Sequence, residues 1–345
     1  MMIDLRQGDC LELLKDIPDG SVDLILTDPP YGTVKDAPKN WTVNNGKAHE
    51  WDSTIDNNKM WHEINRVLRV NGACLLFAQQ PYTTALINEC HNNTPFSYCL
   101  TWIKDNFANA LGCNKAPVNY TEDVCVFFKK HDFLALHPLR LYFKEILDFI
   151  GLKLPQINKK LGCRRAEHCF YVTPKKAVLG EVGGKADHVT KVGSSQFSLC
   201  TEQTYNDLID IFGIDEMQGF RVYSELKKDD DAHKKSIARV FNLHDGKKYK
   251  SNILEYKKDY NGYHPTQKPV LLLEDLIKTY TNEGETVLDF TAGSMSTAIA
   301  CINTNRKGIM IEKDSHYFKV GSERVEKALS EKVINQNTLH LTFMV

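Results

Sequence analysis

An acid, two prolines and a tyrosine, Asp28-Pro29-Pro30-Tyr31, follow directly on the apolar run Val22-Asp23-Leu24-Ile25-Leu26-Thr27. These residue types in this order suit the holding of a flat nucleobase by its exocyclic amine. The amine of adenine or cytosine is a poor nucleophile because its lone pair is delocalised into the ring. If the Asp28 carboxylate and the Pro29 carbonyl each accept one N–H, the lone pair is localised and aimed at a methyl donor, with charge placed where positive charge develops. Pro29 and Pro30 lack N–H groups and fix φ, so their carbonyls stay free to accept from a ligand. Tyr31 offers a π face, on which a stacked base gains about 1–3 kcal/mol. Asp28 needs no raised pKa, because a methylated aminium gives its proton to water readily. Taken alone, the tetrapeptide also fits a strand stopped by a Pro-Pro turn.

A second stretch, Thr286-Val287-Leu288-Asp289-Phe290-Thr291-Ala292-Gly293-Ser294-Met295-Ser296-Thr297, reads as a strand running into a small-residue loop and then a helix. Small residues let backbone N–H groups at a helix start approach a ligand closely. The run Gly308-Ile309-Met310-Ile311 then ends in Glu312, 23 residues after Asp289. An acid at about 20 residues is where a nucleotide-binding unit meets ribose hydroxyls. No Gly-x-Gly-x-x-Gly and no Gly-Lys-Ser/Thr follows, so a nucleoside without a phosphate chain suits this loop better than a dinucleotide or triphosphate.

These motifs need a scaffold. Short apolar, β-branched runs near 22–28, 72–77, 98–103, 123–128, 286–290 and 307–312 predict strands buried on both faces. The expected fold is α/β: a doubly wound, Rossmann-like sheet with helices on both faces, and the two loops meeting above its carboxyl edge. Between the two halves lies an inserted, mostly helical region.

Taken together, these stretches resemble the β class of S-adenosylmethionine-dependent DNA amino-methyltransferases, in which Asp-Pro-Pro-Tyr precedes the cofactor loop. Further similar blocks are Gly8-Asp9-Cys10-Leu11-Glu12, the segment Met60 to Leu68, Gly72 to Phe77, Thr101 to Lys104 leading to Thr121-Glu122-Asp123, and His264-Pro265-Thr266-Gln267-Lys268-Pro269. The resemblance covers roughly residues 1–130 and 255–325. It implies Asp28, Pro29, Pro30 and Tyr31 at the target base. It implies Asp9, Cys10, Lys268, Asp289, Phe290, Ala292, Gly293, Ser294, Ser296, Thr297 and Glu312 around S-adenosylmethionine. Met295 departs from the family, which usually has glycine there; its side chain must point away from the cofactor or narrow the pocket.

The corresponding division is a catalytic half at 1–130, a target-recognition insert at 131–255, a cofactor-binding half at 256–330 and a tail at 331–345. The 345-residue chain carries net charge −1, yet Arg140 to Lys191 holds 11 Lys/Arg against 5 Asp/Glu. A local positive field is the footprint of a phosphate-contacting module. Within it, Tyr142–Ile150, Leu154–Leu161 and a start at Arg164 read as three helices, resembling a helix-turn-helix with Lys159, Lys160, Arg164 and Arg165 toward DNA. A plain helical insert with a solvated basic face fits as well. Thr201 to Phe212 reads as a further amphipathic helix, Gly180 to Ser195 as a loop, and Lys227–Asp231 and Asp245–Lys250 as charged turns or linkers. Trp51 is a candidate for lining the base pocket or for the core.

Ten cysteines without a Cys-x-x-Cys pair read as reduced thiols. Cys163, His168 and Cys169 have the wrong spacing for zinc, so no metal is expected. With no signal segment or membrane span, the expected location is cytoplasmic. The expected activity is methyl transfer to adenine N6 in double-stranded DNA at a specific site, after extrusion of the base. Three alternatives stay open: cytosine N4 as acceptor, RNA or protein amides as substrate, and an inactive DNA-binding regulator of the same fold. A homodimer and a partner restriction endonuclease stay open as well.

Overall fold

The computed structural model describes residues 2–32, 54–108, 114, 117–130, 137–161, 189, 192, 197–244, 246, 248–260, 263 and 267–342. The chain divides into two compact units, residues 1–131 with 239–345, and residues 132–238.

The first unit is built on one eight-stranded sheet. In chain order its elements are β1 (Ile3–Gln7), α1 (Cys10–Leu13), β2 (Val22–Thr27), α2 (Asn57–Val67), β3 (Leu68–Ala78), α3 (Tyr82–Asn88), β4 (Phe96–Ala108) and β5 (Asn119–Phe128). The second unit contributes α4 (Arg140–Ile150), α5 (Leu154–Lys160), α6 (Glu202–Phe212) and α7 (Tyr223–Ser236). The first unit resumes with β6 (Ile253–Glu255), α8 (Val270–Tyr280), β7 (Thr286–Asp289), α9 (Ser296–Thr304), β8 (Lys307–Glu312) and α10 (Ser315–Thr342).

Spatial order is β1-β8-β7-β2-β3-β5-β4-β6. Strands β1, β8, β7, β2 and β3 run parallel, whereas β5 is antiparallel to both β3 and β4. Period-2 alternation sorts the strand residues onto two faces. Leu24, Leu26, Ala73, Leu75, Phe77, Val124, Val126 and Phe128 pack with α8 and α9 residues such as Leu272, Leu276, Ala298 and Ile302. Ile25, Cys74, Leu76, Cys125 and Phe127 pack on the other side with Met60, Trp61, Ile64 and Val67 of α2 and Leu86 of α3. Burial on both faces is why these strands read as nearly continuous apolar runs. The expected doubly wound sheet is therefore what the chain forms.

The second unit has its own core, in which Tyr142, Phe143, Ile146, Ile157, Tyr205, Leu208 and Leu226 meet. Helix α4 ends at Gly151 and α6 at Gly213, each left-handed at the cap with its N–H on an orphan carbonyl of the last turn. The charged run Lys227–Asp231 corrects the expectation of a turn or linker: it lies inside α7, where Lys227 pairs with Asp231 and Lys234 with Asp230 at i,i+4 spacing. The start of a third helix at Arg164, and most of the Gly180–Ser195 stretch, lie outside the described residues.

Candidate active site

Strands β2 and β7 are neighbours, with Leu24 opposite Val287 and Ile25 opposite Leu288. The two motifs, far apart in sequence, therefore emerge side by side at the carboxyl ends of parallel strands. Threonines lace them together. The Thr27 hydroxyl donates to Asp289 Oδ1 at 2.7 Å and lies 2.6 Å from the Thr291 hydroxyl, which donates to the Asp28 carbonyl at 3.0 Å. Asp289 also accepts from the Thr291 N–H at 3.1 Å and from the Thr297 hydroxyl at 2.6 Å. Burial pushes the Asp289 carboxyl up to about 6, against those hydrogen bonds. Asp289 and Thr297 thus hold the loop together.

At the tip, Asp28 is 22 % exposed and its two oxygens are already engaged. Oδ1 accepts from the Tyr31 hydroxyl at 2.6 Å, and Oδ2 from the Lys268 ammonium. Both donors also reach a second carboxylate. Glu122 Oε1 lies 3.0 Å from the Tyr31 hydroxyl and 3.0 Å from Lys268 Nζ, while its Oε2 pairs with Lys104 Nζ at 2.6 Å. Lys268, Glu122 and Lys104 are buried, and with Asp28 they set two carboxylates against two ammoniums, as burial of charge demands. Each ammonium also faces a ring, Lys268 that of Phe77 and Lys104 that of Trp102. Burial and the Glu122 charge push the Asp28 carboxyl up against the pull of Lys268; Glu122, between two lysines, is held down despite its burial. The Tyr31 ring tilts against Tyr82 at 5.5 Å. Pro29 is buried and Pro30 half-buried beside it.

On the neighbouring strands, Glu312 ends β8 opposite Gln7, the last residue of β1. Its Oε2 accepts from the Gly293 N–H and its Oε1 from the Asp314 N–H, both at 2.7 Å. Asp9 caps α1 through the Leu11 N–H and pairs with Lys313, and Cys10 opens that helix with its thiol pushed up to about 11 by burial. The Ser294 hydroxyl donates to Gln267 at 3.2 Å. Arg324 donates to the Ser294 carbonyl and the Ser296 hydroxyl, each at 3.0 Å, so Ser296 is bound into the loop's support. Phe290 and Ala292 are buried. Met295 caps α9 at φ +62° and sends its side chain into the core, against Gly321 of α10. A Cβ on Gly321 would overlap Met295 Cγ.

Sequence reasoning grouped Lys268 with the cofactor set; its ammonium sits on Asp28 and Glu122. It did not single out Glu122 or Lys104. Yet Glu122 is in phase with Val124, Val126 and Phe128, and Lys104 with Leu100 and Trp102, on one buried sheet face. A charge at an inward position of an apolar strand needs a partner, and that parity was the available signal. In the second unit, Lys159 and Lys160 lie in the last turn of α5, and Lys160 covers the Phe212 ring. Arg164, Arg165, Trp51, Cys163, His168 and Cys169 lie outside the described residues. Among the described residues no group of three potential metal ligands converges, and no helix is long and apolar enough to cross a membrane.

The DNA adenine methyltransferase YhdJ of Escherichia coli is 24 % identical over 325 residues, 93 % of this chain and 82 % of that protein. The type II methyltransferase M.HpaI of Haemophilus parainfluenzae is 22 % identical over 324 residues, 92 % and 73 % respectively. M2.DpnII of Streptococcus pneumoniae, a type II methyltransferase, is 35 % identical over 88 residues, 24 % of this chain and 33 % of the relative's length. The crystal structure of an M1.HpyAVI-SAM complex superposes with a TM-score of 0.50 at 18 % identity, covering 94 % of this chain and 99 % of that one, which shows a shared fold. With residues 22–323 matched by the model of the DNA methylase family, the chain belongs to that family.

Proposed function

We propose that the chain transfers a methyl group from S-adenosylmethionine to adenine N6 in double-stranded DNA, at a specific sequence. The observation that carries this reading is the joining of the Asp28-Pro29-Pro30-Tyr31 tip to the Asp289–Thr297 loop through Thr27 and Thr291.

The residues beside that loop fit the cofactor. Each Glu312 oxygen takes one backbone N–H, and a carboxylate oxygen has two lone-pair sites, so acceptor capacity remains for ribose hydroxyls. Met295, which departs from the family pattern, lies in the core and leaves the loop's outer face clear. When bound, S-adenosylmethionine supplies an electrophilic methyl carbon whose bond electrons leave with sulfur.

This chain's residues do the rest by position. The Asp28 carboxylate and the Pro29 carbonyl accept the two N–H hydrogens of the target amine, so that its lone pair forms the new N–C bond. The methylated aminium then sheds one proton to water. Tyr31 stacks on the extruded base and offsets part of its lost stacking, a few kcal/mol. Lys159 and Lys160, with Arg164 and Arg165, contact phosphates from the second unit. Asp before Pro-Pro-Tyr, and a relative named as a DNA adenine methyltransferase, support adenine; cytosine N4 would use the same acceptors.

The test is incorporation of labelled methyl groups into DNA by wild type and Asp28→Ala, followed by mass spectrometry of nucleosides. Wild type is expected to yield 6-methyladenine and Asp28→Ala to lose about a hundredfold or more in rate, the effect of a lost transition-state contact. Finding 4-methylcytosine alone sinks the adenine assignment. Equal rates for the two proteins sink the role of Asp28.

A further inference from the structure

Asp28 meets its substrate with both oxygens already occupied. Each oxygen keeps one lone-pair site, so Asp28 can accept an amine N–H, but beside a donor already in place; the newcomer crowds the Tyr31 hydroxyl or the Lys268 ammonium, and a donor pushed off without another acceptor in a buried site costs about 1–3 kcal/mol, more for a charged one. The two donors share a second acceptor. Tyr31 Oη and Lys268 Nζ each lie 3.0 Å from Glu122 Oε1, whose two lone-pair sites can take both at once. The single phenolic proton serves only one carboxylate at a time, and at rest it lies on the shorter contact, 2.6 Å to Asp28. Lys104, 2.6 Å from Oε2, fixes Glu122 from behind and balances its charge.

We propose that Glu122 is a positioning residue for methyl transfer: it is the alternate acceptor onto which Tyr31 and Lys268 shift when Asp28 takes the amine of the target base. This rests on the reading of Asp28 given above. Glu122 touches no reacting atom; it acts by letting Asp28 exchange partners without stranding a buried proton or charge. The exchange is short, since neither donor has to leave the cluster.

The charged and titratable groups facing Asp28 are Lys268, Glu122, Tyr31, Asp289 and Tyr82, and those facing Glu122 include Lys104 and Lys258. Removing the Glu122 charge leaves Lys268 to Asp28 alone and removes a repulsion from it. Both effects favour ionised Asp28, so the acid limb of kcat should move to lower pH even though turnover falls.

The experiment compares wild type, Glu122→Gln, Tyr31→Phe, Tyr31→Phe/Glu122→Gln and Asp28→Ala in the full chain. It reads kcat against pH, cofactor affinity by calorimetry, and Tm. Glu122→Gln is expected to lower kcat roughly ten- to hundredfold, the worth of a charged hydrogen bond, with cofactor affinity unchanged and the acid limb shifted down. Its effect should shrink in the Tyr31→Phe background, where one of the two donors is already gone. Because Glu122→Gln strands the Lys104 charge, Lys104→Met/Glu122→Gln, which removes a neutral pair, serves if the single variant does not fold, with the same expectations. A kcat within about twofold of wild type with an unmoved acid limb overturns the proposal. So does a loss of equal size with and without the Tyr31 hydroxyl. Wild-type turnover by Asp28→Ala would instead bring down the reading of the site itself.

Discussion

At the scale of single residues, Asp289 is a carboxylate held by three donors in a place that still penalises its charge. Its folded-state value of about 6 lies above the ordinary 3.8. Between those values the folded chain binds more protons than the unfolded one, so this group makes stability fall as pH rises from about 4 to about 6, by on the order of 3 kcal/mol in all. Asp289→Asn should abolish that slope, so the difference in Tm between variant and wild type should grow in the variant's favour across that window and stay level above it. Met295 is the complementary case of local cost and distant gain. A left-handed backbone in a non-glycine residue costs about 1 kcal/mol or more, whereas losing a buried methionine side chain costs about 2–5 kcal/mol. Met295→Gly, although it restores the glycine usual in the family, is therefore expected to lower stability by about 1–3 kcal/mol in denaturant melts and to leave cofactor affinity within about twofold.

At the scale of elements, the Met295 side chain and Gly321 form one fitted contact between the Asp289–Thr297 loop and α10. Gly321→Ala should cost about 1–3 kcal/mol through overpacking, and clearly less in a Met295→Gly background; additive losses would show that the two do not share this contact. Such a pair was not legible in the sequence, because the loop and the α10 residue become neighbours only after the chain has turned back through β8. The strands flanking the site were legible, since burial on both faces leaves continuous apolar runs such as Leu24-Ile25-Leu26 and Ala73-Cys74-Leu75-Leu76-Phe77. Strand β6 was not: three residues with only Leu254 buried carry no period to detect. The charged α7 was misread for a related reason. It buries only Leu226 and Asp230, too few apolar positions to make a stripe, and carries i,i+4 ion pairs along its charged face. Glu122 and Lys104 escaped notice because a charged residue in a strand most often faces solvent, and only the parity of their apolar neighbours places them inward.

At the scale of the whole molecule, a net charge of −1 conceals the basic stretch from Arg140 to Lys191. If Lys159 and Lys160 neutralise phosphates, replacing both with alanine should weaken DNA binding uniformly across sequences and lower the slope of log K against log salt by about 2. Cofactor affinity, which the proposed reading assigns to the other unit, should not change; an unaltered salt slope would remove these two residues from the interface. The catalytic body was readable because its motifs are short and contiguous. The insert was readable only as helices and charge, because base contacts depend on side-chain placement that spacing does not supply.

The bond from Thr27 to Asp289 spans 262 residues. With translation at about 5–20 residues per second, β2 leaves the ribosome on the order of ten to fifty seconds before β7 exists to pair with it. Through that interval one edge of a largely apolar strand waits uncovered, a segment on which chaperones would act. On the proposed reading, a nascent polypeptide stalled between Tyr31 and Thr286 carries the acid, the prolines and the tyrosine without the loop that would seat a methyl donor, and is expected to transfer no methyl groups.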